Sequence, residues 1–361
     1  MNELWRLEDQ LLAIEARVGL LDACRPLGLG PEEARIQALL DSQPRPNPAQ
    51  LVPQLAWPAR PSLDLDLHRL EQVAATCARL ESSELGRILG ARALELALDA
   101  ELVRARGTPG LLALARRRFR GALPAERHEA DVLAREWLGQ KGLETEQGEL
   151  VDLAPELRRL ASARAIALDV VEVDMAARAA VTATAVFVRR GARVSEHQAA
   201  RIFAHEVFGH ALPRRAAVKS GPPFRIGPCG ADADEEGRAV HLEVALGHLD
   251  AERRVELAVR HILSAHLLDG GHVGEGLLDL RGRGVPSRIL AQTATRVLRG
   301  GGLCREVIYL PAFLRVGPRL AEPEVERVFR AGRATLDEVG VLGRLLGPAQ
   351  VGQSRSATTG V

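Results

Sequence analysis

The chain has 361 residues, 46% of them hydrophobic, enough for a sizeable core in one large domain or two smaller ones. A formal net charge of +1 provides no strong field toward nucleic acid or lipid, and an aromatic content of 3% leaves little for a base-stacking surface. Cys24, Cys77, Cys229 and Cys304 are widely separated and form no metal-type pair, so buried free thiols in a reducing cytoplasm are expected.

Residues 1–17 mix acidic and basic side chains with no apolar signal core, and no apolar run is long enough to span a bilayer, so the chain reads as cytoplasmic. Helical periodicity covers residues 2–24 and 31–40, and a proline-rich stretch at 43–61 reads as an extended connector. Residues 1–62 are therefore expected to be N-terminal helices plus this connector. Helical patterns resume at 65–106, 109–120 and 124–138 and suit a scaffold packed on a catalytic unit, the two together spanning 63–346. Short β-branched runs at 166–173 and 181–188 read as strands, and an edge strand there would suit an extended peptide. Ser195 with Gln198 three residues later is a capping box, and it opens an apolar helix over 199–208. Residues 237–268 are again helical, a final helical pair follows Tyr309, and 347–361 is a polar tail expected to be disordered. No internal repeat is present.

The chemistry concentrates in His205-Glu206-Val207-Phe208-Gly209-His210 and in the acidic cluster Asp232-Ala233-Asp234-Glu235-Glu236. Two imidazoles and a carboxylate are good zinc ligands, and three protein ligands leave a position for water. Glu206 cannot readily be both ligand and base; beside such a site it suits a general base. The spacing is unusual. In the common H-E-x-x-H arrangement the histidines lie four apart and share a helix face, whereas a fifth step carries His210 about 140° round from His205. Two solutions are open: a π-bulge in the helix, or an end to the helix at Gly209 with His210 in the following turn. Pro213 agrees with the second.

With these residues in place, the chain resembles the tyrosine/phenylalanine carboxypeptidase family, which includes the microtubule-associated tyrosine carboxypeptidases and the bacterial flavohemoglobin expression-modulating QEGLA-motif proteins. The resemblance runs over roughly residues 100–346. It rests on H-E-x-x-x-H at 205–210, on a QEGLA-like block Glu235-Glu236-Gly237-Arg238-Ala239, and on a third block from Arg296 through Gly300-Gly301-Gly302 and Arg305-Glu306 to Tyr309. It implies zinc held by His205, His210 and Glu236, with Glu235 as the competing ligand, and Glu206 as general base and acid. Arg238 stands where the family has leucine, while Arg305 and Glu306 stand for lysine and aspartate.

A carboxypeptidase must grip a terminal α-carboxylate, and arginine does this with a planar pair of donors. Arg296, Arg299 and Arg305 are the candidates, Arg299 preferred; the alternative for each is a solvated surface arginine. Tyr309, the chain's single tyrosine, is either a donor to a developing oxyanion or a core residue. His241 is a candidate to support the metal ligands from behind. The expectation is an α+β, mainly helical, zinc metallopeptidase-like core with a small sheet. It would be a zinc carboxypeptidase acting on the C-terminus of a peptide or protein, the family implying an aromatic last residue, with no nucleic-acid or membrane partner. The alternative is a non-catalytic metal-binding regulatory or interaction protein of the same fold. Sequence leaves the natural substrate and the oligomeric state open.

Overall fold

A computed structural model describes residues 2–59, 62–80, 83–120, 125–140, 149–173, 175 and 177–347. Helices α1 (Asn2–Val18), α2 (Leu20–Ala23) and α3 (Leu29–Ser42) open the chain. Leu7, Leu11, Ile14 and Val18 recur at helical spacing and are all buried, so α1 has one apolar face. The single helix expected over 2–24 breaks at Gly19, whose φ of 44° lies in the left-handed region. The proline-rich stretch contains a 3-10 turn at Pro48–Leu51. Helices α4 (Asp64–Arg79) and α5 (Glu84–Ala105) divide the pattern over 65–106, because Ser83 starts a new helix by accepting the Gly86 N–H at 3.0 Å. Helices α6 (Leu111–Ala115) and α7 (Arg127–Gly139) follow.

The β-structure is small. Strand β1 (Leu150–Asp152) leads into α8 (Leu153–Ala163), and β2 (Asp169–Val173), β3 (Ala179–Val181), β4 (Ala185–Arg189) and β5 (Arg193–Ser195) come next. The run expected as one strand over 181–188 is in fact a hairpin. Thr182 makes the turn: its N–H donates to Ala185 O at 2.9 Å, and its hydroxyl accepts the Ala185 N–H at 3.1 Å. Strand β4 pairs in parallel with β2 and antiparallel with β3, giving the order β2-β4-β3 with β3 at an edge. Strands β1 and β5 form a separate antiparallel pair, which their short, charged sequences did not signal.

Helix α9 (Glu196–Phe203) begins at the expected cap, Ser195 Oγ accepting the Gln198 N–H at 3.2 Å. It runs on through a π-helix, Ala204–Ala211, into α10 (Leu212–Ser220). The rest is helical: α11 (Ala231–Ala245), α12 (Ala251–Leu268), α13 (Val273–Gly282), α14 (Ser287–Val297), α15 (Tyr309–Val316), α16 (Pro323–Ala331) and α17 (Val339–Leu345). The stretch 237–268 is thus two helices, and the acidic cluster lies on α11 itself. The main apolar core forms among α3, α7 and α12–α15. A second joins α1, α4 and α5, and a third joins α8 and α9 to the three-stranded sheet.

The fold is mainly helical with a small sheet, as expected. Three cysteines are buried, but Cys229 is exposed, against expectation. Among the described residues no helix is long and apolar enough to cross a membrane. The tail expected to be disordered falls, beyond residue 347, outside the described residues.

Candidate metal centre

The five-residue spacing of the histidines is resolved by the backbone. In a π-helix each N–H bonds the carbonyl five residues back, so side chains five apart come onto one face. The imidazoles of His205 and His210 accordingly sit with ring centroids 5.1 Å apart. The Leu212 N–H bonds Val207 O in this register. The next such bond would need an N–H on Pro213, which has none, so the π register ends there. Pro213 therefore does not terminate the helix, as its position suggested; it returns the chain to α geometry. Its missing N–H also leaves Gly209 O without the usual α-helical donor, and Arg238 Nη1 donates to that carbonyl at 3.1 Å. Gly209 is not a helix end either. A Cβ there would stand 2.7 Å from Ala239 Cβ, so glycine is what lets α11 press against the π-helix.

Helix α11 carries the carboxylates. Its first turn is pinned from several sides: Asp232 pairs with Arg333 and with Arg92 at 3.5 Å, while Asp234 accepts from Thr335 Oγ1 at 2.7 Å and from Leu336 N at 2.8 Å. Glu236 then points at the two histidines. Its Oε2 lies 3.2 Å from His205 Nε2 and 3.7 Å from His210 Nε2. Its other oxygen accepts from Arg305 Nη2 at 3.1 Å. Glu235 turns the other way, toward the far side of His210: Oε1 is 3.4 Å from His210 Nδ1 and Oε2 is 3.1 Å from Arg214 Nη2. The contact to Nδ1 is within ion-pair range but makes no hydrogen bond. Behind His205 stands Glu243, whose Oε1 is 2.7 Å from Nδ1 and which is held by Arg253 through two hydrogen bonds of 2.8 Å. Glu243 escaped the sequence reading. The signal was there: it follows Glu236 by two helical turns, so both face the same way. His241 does not have the supporting place proposed for it; it stacks on Phe313 and bonds Phe313 O at 2.7 Å.

Donor atoms of His205, His210 and Glu236, all buried, lie within 4.8 Å of one another, a group that could hold a metal ion. The chemistry fits. Ligand atoms about 2.0–2.2 Å from a tetrahedral zinc stand about 3.3–3.6 Å apart, close to the 3.2 and 3.7 Å from Glu236 to the two histidines. Each histidine also has a carboxylate behind its outer nitrogen, an arrangement that orients metal-bound imidazole. Electrostatics agree with a cation at this point. Burial pushes both imidazoles toward the neutral form, but the surrounding carboxylates outweigh it, raising His205 and taking His210 up to about 10. Against the same cost of burial, Arg305 and the two histidines hold the Glu236 carboxyl well below the usual range.

These groups line a cavity of about 850 Å³ together with Glu206, Arg296, Arg299, Arg305 and Tyr309. Glu206 is half-buried and has no hydrogen-bond or ion-pair partner among the described residues. Arg296 is engaged with Glu306 at 3.0 Å. Arg305 is engaged with Glu236 and also donates to the Tyr309 hydroxyl at 3.3 Å. Arg299 is 8% exposed and makes no side-chain hydrogen bond or ion pair among the described residues. Burial and the neighbouring Arg296 lower it to about 10. The cavity is also lined by β3. Arg178 O and Thr182 N–H are taken by β4, so the backbone groups of Ala179 and Val181 face outward. Val181 O accepts from Arg214 Nη1 at 2.9 Å.

What fold and site define is a mainly helical protein with a buried His/His/Glu cluster, able to take a metal ion, between a π-distorted helix and α11 at an arginine-rich cavity. The chain belongs to the microtubule-associated tyrosine carboxypeptidase family, whose family model matches residues 47–354. Membership implies a peptidase of the carboxypeptidase type acting on a peptide or protein. No curated protein and no solved structure gave a match.

Proposed function

We propose that the protein is a zinc-dependent carboxypeptidase that hydrolyses the last peptide bond of a peptide or protein, the family suggesting an aromatic final residue. The observation that carries this reading is the convergence of His205, His210 and Glu236 beside a half-buried, unpaired Glu206. His205, His210 and Glu236 would hold the ion; zinc there supplies Lewis acidity and eases the ionisation of a water. Glu206 takes the proton of the attacking water and delivers it to the leaving amine. The Tyr309 hydroxyl accepts from Arg305, so its own proton is free to donate to the developing oxyanion. Burial and the Glu236 charge raise the Tyr309 pKa, which keeps the phenol a donor. Arg305 orients Glu236, leaving the terminal carboxylate to Arg299. The outward groups of Ala179 and the Val181 N–H pair with the extended substrate backbone.

Incubation with a peptide library varied only at the last position, read by mass spectrometry, tests the reading. Release of single terminal residues is expected; internal cuts or binding without cleavage would replace it, the latter with a non-catalytic role. Two residues give sharper tests. Arg299→Ala is expected to raise KM for free-carboxylate peptides roughly 10–100-fold, the loss of a charge-assisted bond of about 1.5–3 kcal/mol, with peptide amides unaffected. Glu243→Gln is expected to weaken zinc affinity about 10–100-fold in competition with a chelator. Unchanged affinity would assign Glu243 to packing alone.

A further inference from the structure

We infer that helices α1–α3 form the end wall of the cavity beyond the scissile bond, stopping the peptide after one residue. This rests on the carboxypeptidase reading and adds the element that makes the enzyme exo-acting. These helices lie ahead of the family-matched region, residues 47–354, yet Leu12, Leu20, Leu21 and Leu29 line the cavity that holds the His/His/Glu cluster.

Their position relative to Arg299 is fixed by direct contacts. The Gly300 N–H donates to Cys24 O at 3.1 Å, and a Cβ on Gly300, which has a φ of 65°, would stand 2.8 Å from Cys24 Sγ. Thr295 Oγ1, four residues before Arg299, donates to Glu33 Oε1 at 3.0 Å. A peptide whose carboxylate reaches Arg299 therefore meets the α2–α3 segment next. The wall is clamped to the domain. Glu15 pairs with Arg333 at 2.8 Å and Arg92 at 2.6 Å, and Glu8 pairs with Arg225 at 2.6 Å. These part-buried pairs tie α1 to α5 and to the segments carrying Arg225 and Arg333. An endopeptidase cleft must be open at both ends. Under this inference the open end is the one lined by β3, and the leucines that line the cavity from α1–α3 form the closed one.

A peptide ending in a free-carboxylate benzoylphenylalanine, photo-crosslinked to the full chain after chelation of metal, tests this directly. Crosslinks are expected within residues 12–33; labelling elsewhere, or none that excess unlabelled peptide suppresses, overturns the wall. A second measurement compares two peptide amides of common sequence, one four residues longer at its C-terminus. The protein should bind the shorter at least about tenfold more tightly, and the Leu21→Ala, Leu29→Ala variant should narrow that gap. Leu21 is 41% exposed, so its truncation should leave folding intact. Equal binding of both amides, or a gap the variant does not narrow, also removes the inference. Neither readout needs metal or turnover, so failure of the hydrolase reading would show separately, in zinc content and cleavage.

Discussion

Glu206→Gln is expected to keep its zinc and to lower kcat about 10²–10⁴-fold, the span of general acid–base catalysis. Glutamine has the same shape but cannot take a proton from water or return it to an amine. Glu206 follows His205 directly, so it leaves the helix at a different angle and reaches the cavity without joining the ligand cluster. It is also free of the arginines that hold Glu235, Glu236 and Glu243. A carboxylate tied to a guanidinium is a poor base because the ion pair favours its charged form. The substitution removes neither a ligand nor an ion pair, so KM and melting temperature should change little. Single-turnover cleavage together with metal analysis of the purified variant decides the matter. Turnover at the unaltered rate would deny Glu206 its role.

His205→Ala combined with His210→Ala should abolish zinc binding while the chain still folds. Two of the three proposed ligands are lost, and a lone carboxylate already held by Arg305 offers little to a divalent ion. Folding should survive because the carboxylates exposed by the change keep their cations: Glu243 keeps Arg253, Glu235 keeps Arg214, and Glu236 keeps Arg305. Stoichiometric zinc is expected in the unaltered protein and none in the double variant. A ligand that binds only the folded state stabilises it by mass action. Chelation should therefore lower Tm in the unaltered protein and leave the variant unmoved. Equal zinc in both proteins would mean that the ion, if there is one, is held elsewhere.

Arg238 shows how a motif departure can be a local repair. In the sequence it is an arginine where the family carries leucine. In the structure it donates to Gly209 O, a carbonyl deprived of its α-helical donor by Pro213. The departure is thus accounted for by backbone hydrogen bonding next to the histidines, and it says nothing against catalysis.

The sequence by itself determined the residue types and their local settings. The apolar period of α1, the Ser195 cap and the mainly helical class follow from side chains a few residues apart, which is the range over which propensity and periodicity act. His205, Glu206, His210 and the Glu235-Glu236 pair stood out in the sequence because the five-residue histidine spacing and a QEGLA-like block occur in one chain. Tertiary structure alone decided how they meet. Gly209 left two backbone solutions for the histidines open, and Pro213 pointed to a helix end; the π-helix prevails because α11 packs against Gly209 and Arg238 satisfies its carbonyl. Which of two adjacent glutamates turns inward depended on Arg214 and Arg305, far away in sequence, each taking one of them. The roles of the three candidate arginines separated only when Glu236 and Glu306 were seen to occupy two of them. These pairings join residues 10, 21 and 69 positions apart, beyond the few-residue range over which local pattern acts.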